Sequence, residues 1–163
     1  MDGRRVADAA AEWALSKVGC AYSQAKRTER DFFDCSSLVA RAYAAQGKRW
    51  FYGGSVPLSF QEVYDDDFEL LWPEDYAGIG KAMGGWDVIE RARERGDLQF
   101  LCTDSSTGRA NKITHVTMVA DRTTIVQARG KAYGVCTNSI DLYRGRVCAV
   151  SRYNPGCTLR TGM

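Results

Sequence analysis

Histidine is almost missing from this chain: among 163 residues, His115 is the only one. A zinc site built on several imidazoles is thereby excluded. None of the six cysteines falls into a Cys-x-x-Cys pair, so a structural zinc site has no ligand set to draw on. Any imidazole acid–base chemistry near neutral pH must run through His115. No apolar run approaches the ~18 residues of a membrane-spanning helix. No phosphate-cradling glycine loop supports nucleotide binding. Excess charge of one sign is missing too. Lys and Arg total 22 against 20 Asp and Glu, a net +2 that gives no basis for nucleic-acid or membrane-surface binding. No internal repeat is visible, and no stretch rich in Pro, Gly or Ser divides the chain. The opening residues Met1-Asp2-Gly3-Arg4-Arg5 lack the apolar core of a secretory leader. The expectation is a chain that acts where it is made, leaves by another route, or is a domain of a longer protein.

What is there fits one domain over residues 1–163, with a core of ordinary size: 45% of residues are hydrophobic and 26% charged. The cysteines (Cys20, Cys35, Cys102, Cys136, Cys148, Cys157) read mostly as free thiols packed in that core. A bridge among the last three stays open.

Residues from about Val6 to Val18 read as a helix with Val6, Ala10, Trp13 and Ala14 on its apolar face and Gly19 as its stop. A charged loop, Lys26-Arg27-Thr28-Glu29-Arg30, reads first as solvated, although one of its cations could hold a thiolate or a substrate carboxylate. It leads to a second helix ending near Gln46, with Gly47 as its stop. Residues 48–95 are the least legible part, an extended connection punctuated by Gly53-Gly54, Pro57, Pro73 and Gly84-Gly85. Asp65-Asp66-Asp67 reads as a solvated acidic run, because its spacing does not match a calcium loop. A short helix is expected around Trp86 to Arg95. From Gly96 onward the pattern alternates as strands: 97–101, 115–120, 123–128, 135–140 and 146–153, with a polar loop over 103–111. Helices first and an antiparallel strand meander after predict an α+β fold.

Two places carry chemistry. In Asp34-Cys35-Ser36-Ser37-Leu38-Val39, Asp34 is a natural N-cap and Cys35 opens the second helix. A thiol there faces the positive end of the helix dipole, which favours the thiolate, the nucleophilic form. A buried structural cysteine is the competing reading. His115 begins a strand, from which a base can be aimed rigidly at the helix. Gln127 lies on the next strand, where its amide oxygen could accept from one ring nitrogen and leave the other for the thiol.

Taken in order, Tyr22, Asp34-Cys35-Ser36-Ser37-Leu38-Val39, Gly96-Asp97-Leu98-Gln99-Phe100, His115-Val116-Thr117-Met118-Val119 and Ile125-Val126-Gln127-Ala128 resemble the NlpC-type family of bacterial cell-wall cysteine peptidases. Tyr143-Arg144-Gly145-Arg146-Val147 resembles that family's last strand. The resemblance spans about residues 6–153. It implies a compact papain-like α+β domain, the nucleophile helix packed on an antiparallel sheet, and thiol-dependent hydrolysis of peptidoglycan stem peptides. The bond most often cut is the one from the γ-carboxyl of D-glutamate to a diamino acid. It assigns Cys35 as nucleophile, His115 as general base and then acid, and Gln127 as the residue orienting the histidine. Tyr22 matches the tyrosine near the oxyanion site, and Asp34 and Ser36 match positions that help bind the peptide's amino end. No metal and no cofactor are implied. The expected partners are peptidoglycan stem peptides, with no nucleic acid, no membrane span and a monomeric chain acting on the bacterial cell wall. Departures bear on specificity. Ser37 stands at the family's glycine, Ala21 stands at the proline before the tyrosine, and a charged loop replaces the glycines after it. The apparent lack of a leader suits a phage lysin or tail-associated lysin. The alternatives are an amidase cutting a different wall bond and a catalytically silent wall-binding or phage-structural module.

Overall fold

The computed structural model describes residues 2–50, 55–81, 93–102, 108–109 and 111–156. Three helices come early: α1 (Gly3–Leu15), α2 (Cys35–Ala44) and the single turn α3 (Ser59–Glu62). Two very short strands, β1 (Ala21–Tyr22) and β2 (Phe32–Phe33), pair in parallel just ahead of α2. The rest of the framework is β3 (Phe68–Trp72), β4 (Leu98–Leu101), β5 (His115–Val119), β6 (Thr124–Ala128), β7 (Val135–Ser139) and β8 (Val147–Tyr153). These form an antiparallel six-stranded sheet in the order β3-β8-β4-β5-β6-β7. The fold is α+β, as the order of patterns predicted. The meander holds only for β4 to β7. The 3₁₀ turn Ile140–Tyr143 then carries the chain back so that β8 lies beside β4.

Alternation along the strands explains why they are buried on both faces. Val116 and Met118 of β5 and Val126 and Ala128 of β6 join Leu38, Val39, Ala42 and Tyr43 of α2 and the alanine face of α1 in one core. Val119 and Ile125 point the other way, into a smaller core with Leu101, Ile140, Tyr143, Val147 and Val150. The sheet is thus a middle layer, and α2 packs across β5 and β6.

The connection that the sequence left unread contributes α3 and β3, and β3 pairs with β8 at one edge of the sheet. The acidic run is not a solvated loop. Asp65 is buried and its carboxylate meets Lys48 Nζ at 2.9 Å, while Asp67 meets the same ammonium at 3.1 Å. Desolvating a lone lysine would be costly, and two carboxylates compensate it. The helix expected around Trp86 to Arg95 falls mostly outside the described residues, as does most of the 103–111 loop. The possible bridge among the last three cysteines is absent between Cys136 and Cys148, which are both free, and Cys157 lies outside the described residues.

One close approach fixes α1, α2 and the sheet together. Gly96 sits at φ 92°, and a Cβ there would lie 2.7 Å from the Ala7 carbonyl oxygen and 2.9 Å from the Tyr43 hydroxyl. That hydroxyl donates to the Gly96 carbonyl at 2.7 Å. Gly19 shares the positive φ with nothing within 4 Å. Gly96→Ala should therefore cost about 2 kcal/mol or more, and Gly19→Ala only about 1 kcal/mol. Urea unfolding of the two variants separates crowding from backbone strain.

Candidate active site

Cys35 is the first residue of α2, and its position is set from both sides. Asp34 caps the helix, accepting from the Ser37 N–H at 2.8 Å, and Ser37 Oγ accepts in return from the Asp34 N–H at 2.9 Å. This reciprocal box satisfies two backbone donors at the helix start. It also gives Ser37 a structural job at the place where the resembled family has glycine. Ahead of the cap, Tyr22 pairs with Phe33 in the short parallel ladder, two residues before Cys35. Its phenol is close enough to the thiol for the two charges to interact.

From the sheet side, the Val116 backbone N–H faces the Cys35 sulfur, which places the thiol one peptide unit from His115. His115 Nε2 meets Gln127 Oε1 at 2.7 Å. Register explains the pair, since Met118 lies opposite Val126 and Val119 opposite Ile125. That makes Gln127 a diagonal neighbour of His115 on the same face. Gln127 is fully buried, and its amide is oriented by more than the histidine. The Tyr143 hydroxyl donates to the same Oε1 at 2.9 Å, and Gln127 Nε2 donates to Asn138 Oδ1 at 2.7 Å. The Tyr143 ring also stands edge-on to the imidazole, with centroids 5.8 Å apart. With the amide oxygen fixed toward the ring, His115 carries its proton on Nε2 and presents a bare Nδ1. Sequence reasoning reached Gln127 but not Tyr143 or Asn138. Tyr143 comes from a turn after β7, and only its place in the quoted Tyr143-to-Val147 segment hinted at it.

The electrostatics correct one expectation. The helix start was expected to favour the thiolate, yet burial, followed by the nearby Asp34 and Glu62 carboxyls, pushes the Cys35 thiol up to about 12. The Val116 and Ser36 N–H groups oppose this without reversing it. Burial also holds His115 below its ordinary value, although the bond to Gln127 pulls the other way. Both shifts favour the uncharged forms, thiol and imidazole, over thiolate and imidazolium. Tyr22 is raised to about 12, mainly by burial, so its hydroxyl stays a donor.

Asp34 and Ser36 are both buried. Their polar atoms are engaged by Arg27, whose Nε lies 2.9 Å from Asp34 Oδ2 and whose terminal nitrogen donates to Ser36 Oγ. The same guanidinium donates to the Val56 and Pro57 carbonyls at 2.8 and 2.7 Å. The charged loop is therefore not simply solvated: Arg27 locks the cap and ties it to the start of the connection. Glu62 is buried nearby with no hydrogen-bond partner for either carboxyl oxygen among the described residues. Its carboxyl is raised well above the ordinary range by that burial. A cavity of about 450 Å³ lies toward the far end of α2, lined by Ala44, Trp50 and Pro57 among others; it touches none of the candidate catalytic side chains and is not this site. Among the described residues no group of three or more His, Cys, Asp or Glu could hold a metal ion.

No protein-family model matches the chain, and no curated protein matches it. Solved structures do. NlpC2 from Trichomonas vaginalis superposes with a TM-score of 0.64 at 25% identity, covering 94% of this chain and 48% of that one. The peptidoglycan hydrolase RipB from Mycobacterium tuberculosis gives a TM-score of 0.60 at 20% identity, covering 93% and 66%. The P60 domain of an M. avium subspecies paratuberculosis antigen gives 0.56 at 22% identity, covering 93% and 96%. Its fold is that of the NlpC/P60 family. The chain spans about half the length of the T. vaginalis proteins it matches. It matches nearly the whole of the isolated P60 domain.

With a single histidine, this NlpC/P60 fold allows a clean test of the resting state. In ¹⁵N-histidine-labelled protein at pH 7, the one imidazole should show Nε2 protonated and Nδ1 bare, with a titration midpoint below the ordinary 6.5. Gln127→Leu removes the bond that favours the cation, so it should lower the midpoint further. Iodoacetamide should label Cys35 slowly at pH 7, with a rate that climbs toward pH 12.

Proposed function

We propose that this chain is a peptidoglycan hydrolase, a thiol-dependent endopeptidase that cleaves stem peptides through an acyl-enzyme on Cys35. The observation that carries this reading is the oriented His115–Gln127 pair beside a cysteine at a helix start. The fold is shared with RipB and with the domain of SagA, which are described as peptidoglycan hydrolases. On this reading residues 1–163 form one catalytic domain with an extended connection at 48–95, and its site of action is the bacterial wall. The bond favoured is the one joining the γ-carboxyl of D-glutamate to the diamino acid.

The chemistry follows from the geometry. His115 Nδ1 takes the thiol proton as Cys35 Sγ attacks the amide carbonyl, so the charged pair forms only during reaction. This suits a resting site in which burial has kept both partners neutral. The carbonyl oxygen becomes an anion at the start of α2. There the Cys35 N–H, one of the donors without an intrahelical partner, and the neutral Tyr22 hydroxyl can receive it. His115 then protonates the leaving amine, and the acyl-thioester remains. A water, deprotonated by His115, attacks the thioester, and the proton returns to Cys35 as the carboxylic product leaves. Gln127, held by Tyr143 and Asn138, keeps the imidazole in the useful tautomer throughout.

Digestion of purified peptidoglycan by the wild type and by Cys35→Ala, with products identified by mass spectrometry, tests the reading. New γ-D-glutamyl ends from the wild type alone are expected. Intact released stems would identify an amidase instead, and no products from either protein would overturn hydrolysis altogether. The acid limb of kcat/KM should fall below pH 6.5, because a depressed His115 stays neutral to lower pH. Tyr143→Phe removes one of two donors from Gln127 Oε1 and should lower kcat by about ten-fold with KM little changed, on the order of 1 kcal/mol for one hydrogen bond.

A further inference from the structure

Two thiols that the proposed reaction does not use face one another on the sheet. Cys102 follows β4, and Cys148 is the second residue of β8. Phe100 lies opposite Ala149 and Leu101 opposite Val147, so Cys148 is an extra residue bulged out of the ladder between them. Beyond the bulge the ladder resumes, with the Cys102 N–H donating to the Arg146 carbonyl at 3.2 Å. The bulge turns Cys148 to the face that Cys102 also uses, and both pack against the larger core. The two thiols lie close enough for each to shift the other's acidity. Cys102 Sγ donates to the Asn111 carbonyl at 3.4 Å, which ties the pair to the segment that leads into His115. Their exposures differ: Cys148 is fully buried, whereas Cys102 is partly open.

We propose that Cys102 and Cys148 form a reversible disulfide, making this pair a redox-modification site distinct from Cys35. The roles follow from access and acidity. The nearby Cys148 thiol, helped by Lys112, holds the Cys102 thiol below its ordinary value. The same proximity and burial push Cys148 far up. Cys102 is thus the attacking sulfur and Cys148 the resolving one. With a small-molecule disulfide as oxidant, the Cys102 thiolate attacks one sulfur of that disulfide, forms a mixed disulfide and releases one thiolate. Cys148 then gives up its proton, attacks the Cys102 sulfur and expels the second small thiol. In total two protein thiols and one small disulfide become one protein disulfide and two small thiols. Neither strand has to leave its partner, because β4 and β8 are already adjacent.

The test uses the whole chain equilibrated in mixtures of reduced and oxidised glutathione, blocked with N-ethylmaleimide, digested without reduction and analysed by mass spectrometry. A linked Cys102–Cys148 peptide is expected. It should rise with the oxidised fraction and disappear with dithiothreitol, while Cys35 is recovered without a disulfide partner. Cys148→Ser should trap glutathione on Cys102, because the resolving thiol is gone. Recovery of both thiols alkylated at every buffer ratio would overturn the proposal. So would a lasting mixed disulfide on wild-type Cys102, or linkage of either cysteine to Cys157. The wild-type measurement decides by itself if the variant does not fold.

Discussion

The Asp34 carboxylate is the group on which the rest of the site hangs. It caps α2 through the Ser37 N–H, receives the Ser36 hydroxyl and pairs with Arg27, all while almost wholly withdrawn from water. A capping bond contributes about 1 kcal/mol, and breaking a buried ion pair by removing one partner costs about 3–5 kcal/mol. The second figure decides the matter: Arg27 and Asp34 are obligatory to one another. Through the Val56 and Pro57 carbonyls, the same guanidinium anchors the start of the connection against α2. The anion that fixes Cys35 in place also opposes its ionisation. Precise positioning and a pre-formed thiolate are in tension here, and positioning wins.

That outcome gives the buried amide network its meaning. On the proposed mechanism, a base that starts neutral must present the correct nitrogen before any proton moves, and a rotated imidazole would be useless. Gln127 supplies the constraint by accepting from His115. Tyr143 and Asn138 keep Gln127 from flipping, one on its oxygen and the other on its nitrogen. All four polar groups sit at the margin of the smaller core, where low polarity strengthens each bond and makes a missing one costly. The second face of the sheet therefore serves orientation as much as stability.

Much of this was legible in the chain because the signals are local. Asp34 before Cys35 announces a capped helix, the alternation around His115 and Gln127 announces paired strands, and a lone histidine narrows the choice of base. What escaped reading depends on distant partners. Asp65 looks like surface acid until Lys48 is brought to it. Arg27 looks like a loop cation until its carboxylate is known. Tyr143 reaches Gln127 only because a 3₁₀ turn returns the chain across the sheet. The strand β3 was hidden for a related reason. Its five residues include a charged one, and its identity as a strand rests on pairing with β8, some eighty residues later. The thiolate expectation failed on energetics: the dipole argument holds for an exposed helix start, and this one is crowded by burial and like charge.

The position of β3 decides which edge of the sheet is left open. β8 is the longest strand of the sheet and runs Val147-Cys148-Ala149-Val150-Ser151-Arg152-Tyr153, largely apolar and with its central residues buried. Without β3 it would present an open row of unpaired amides and carbonyls, the kind of template on which a second chain can assemble. By pairing with that row, β3 covers the longer apolar edge and leaves in its place a shorter one that carries Glu69.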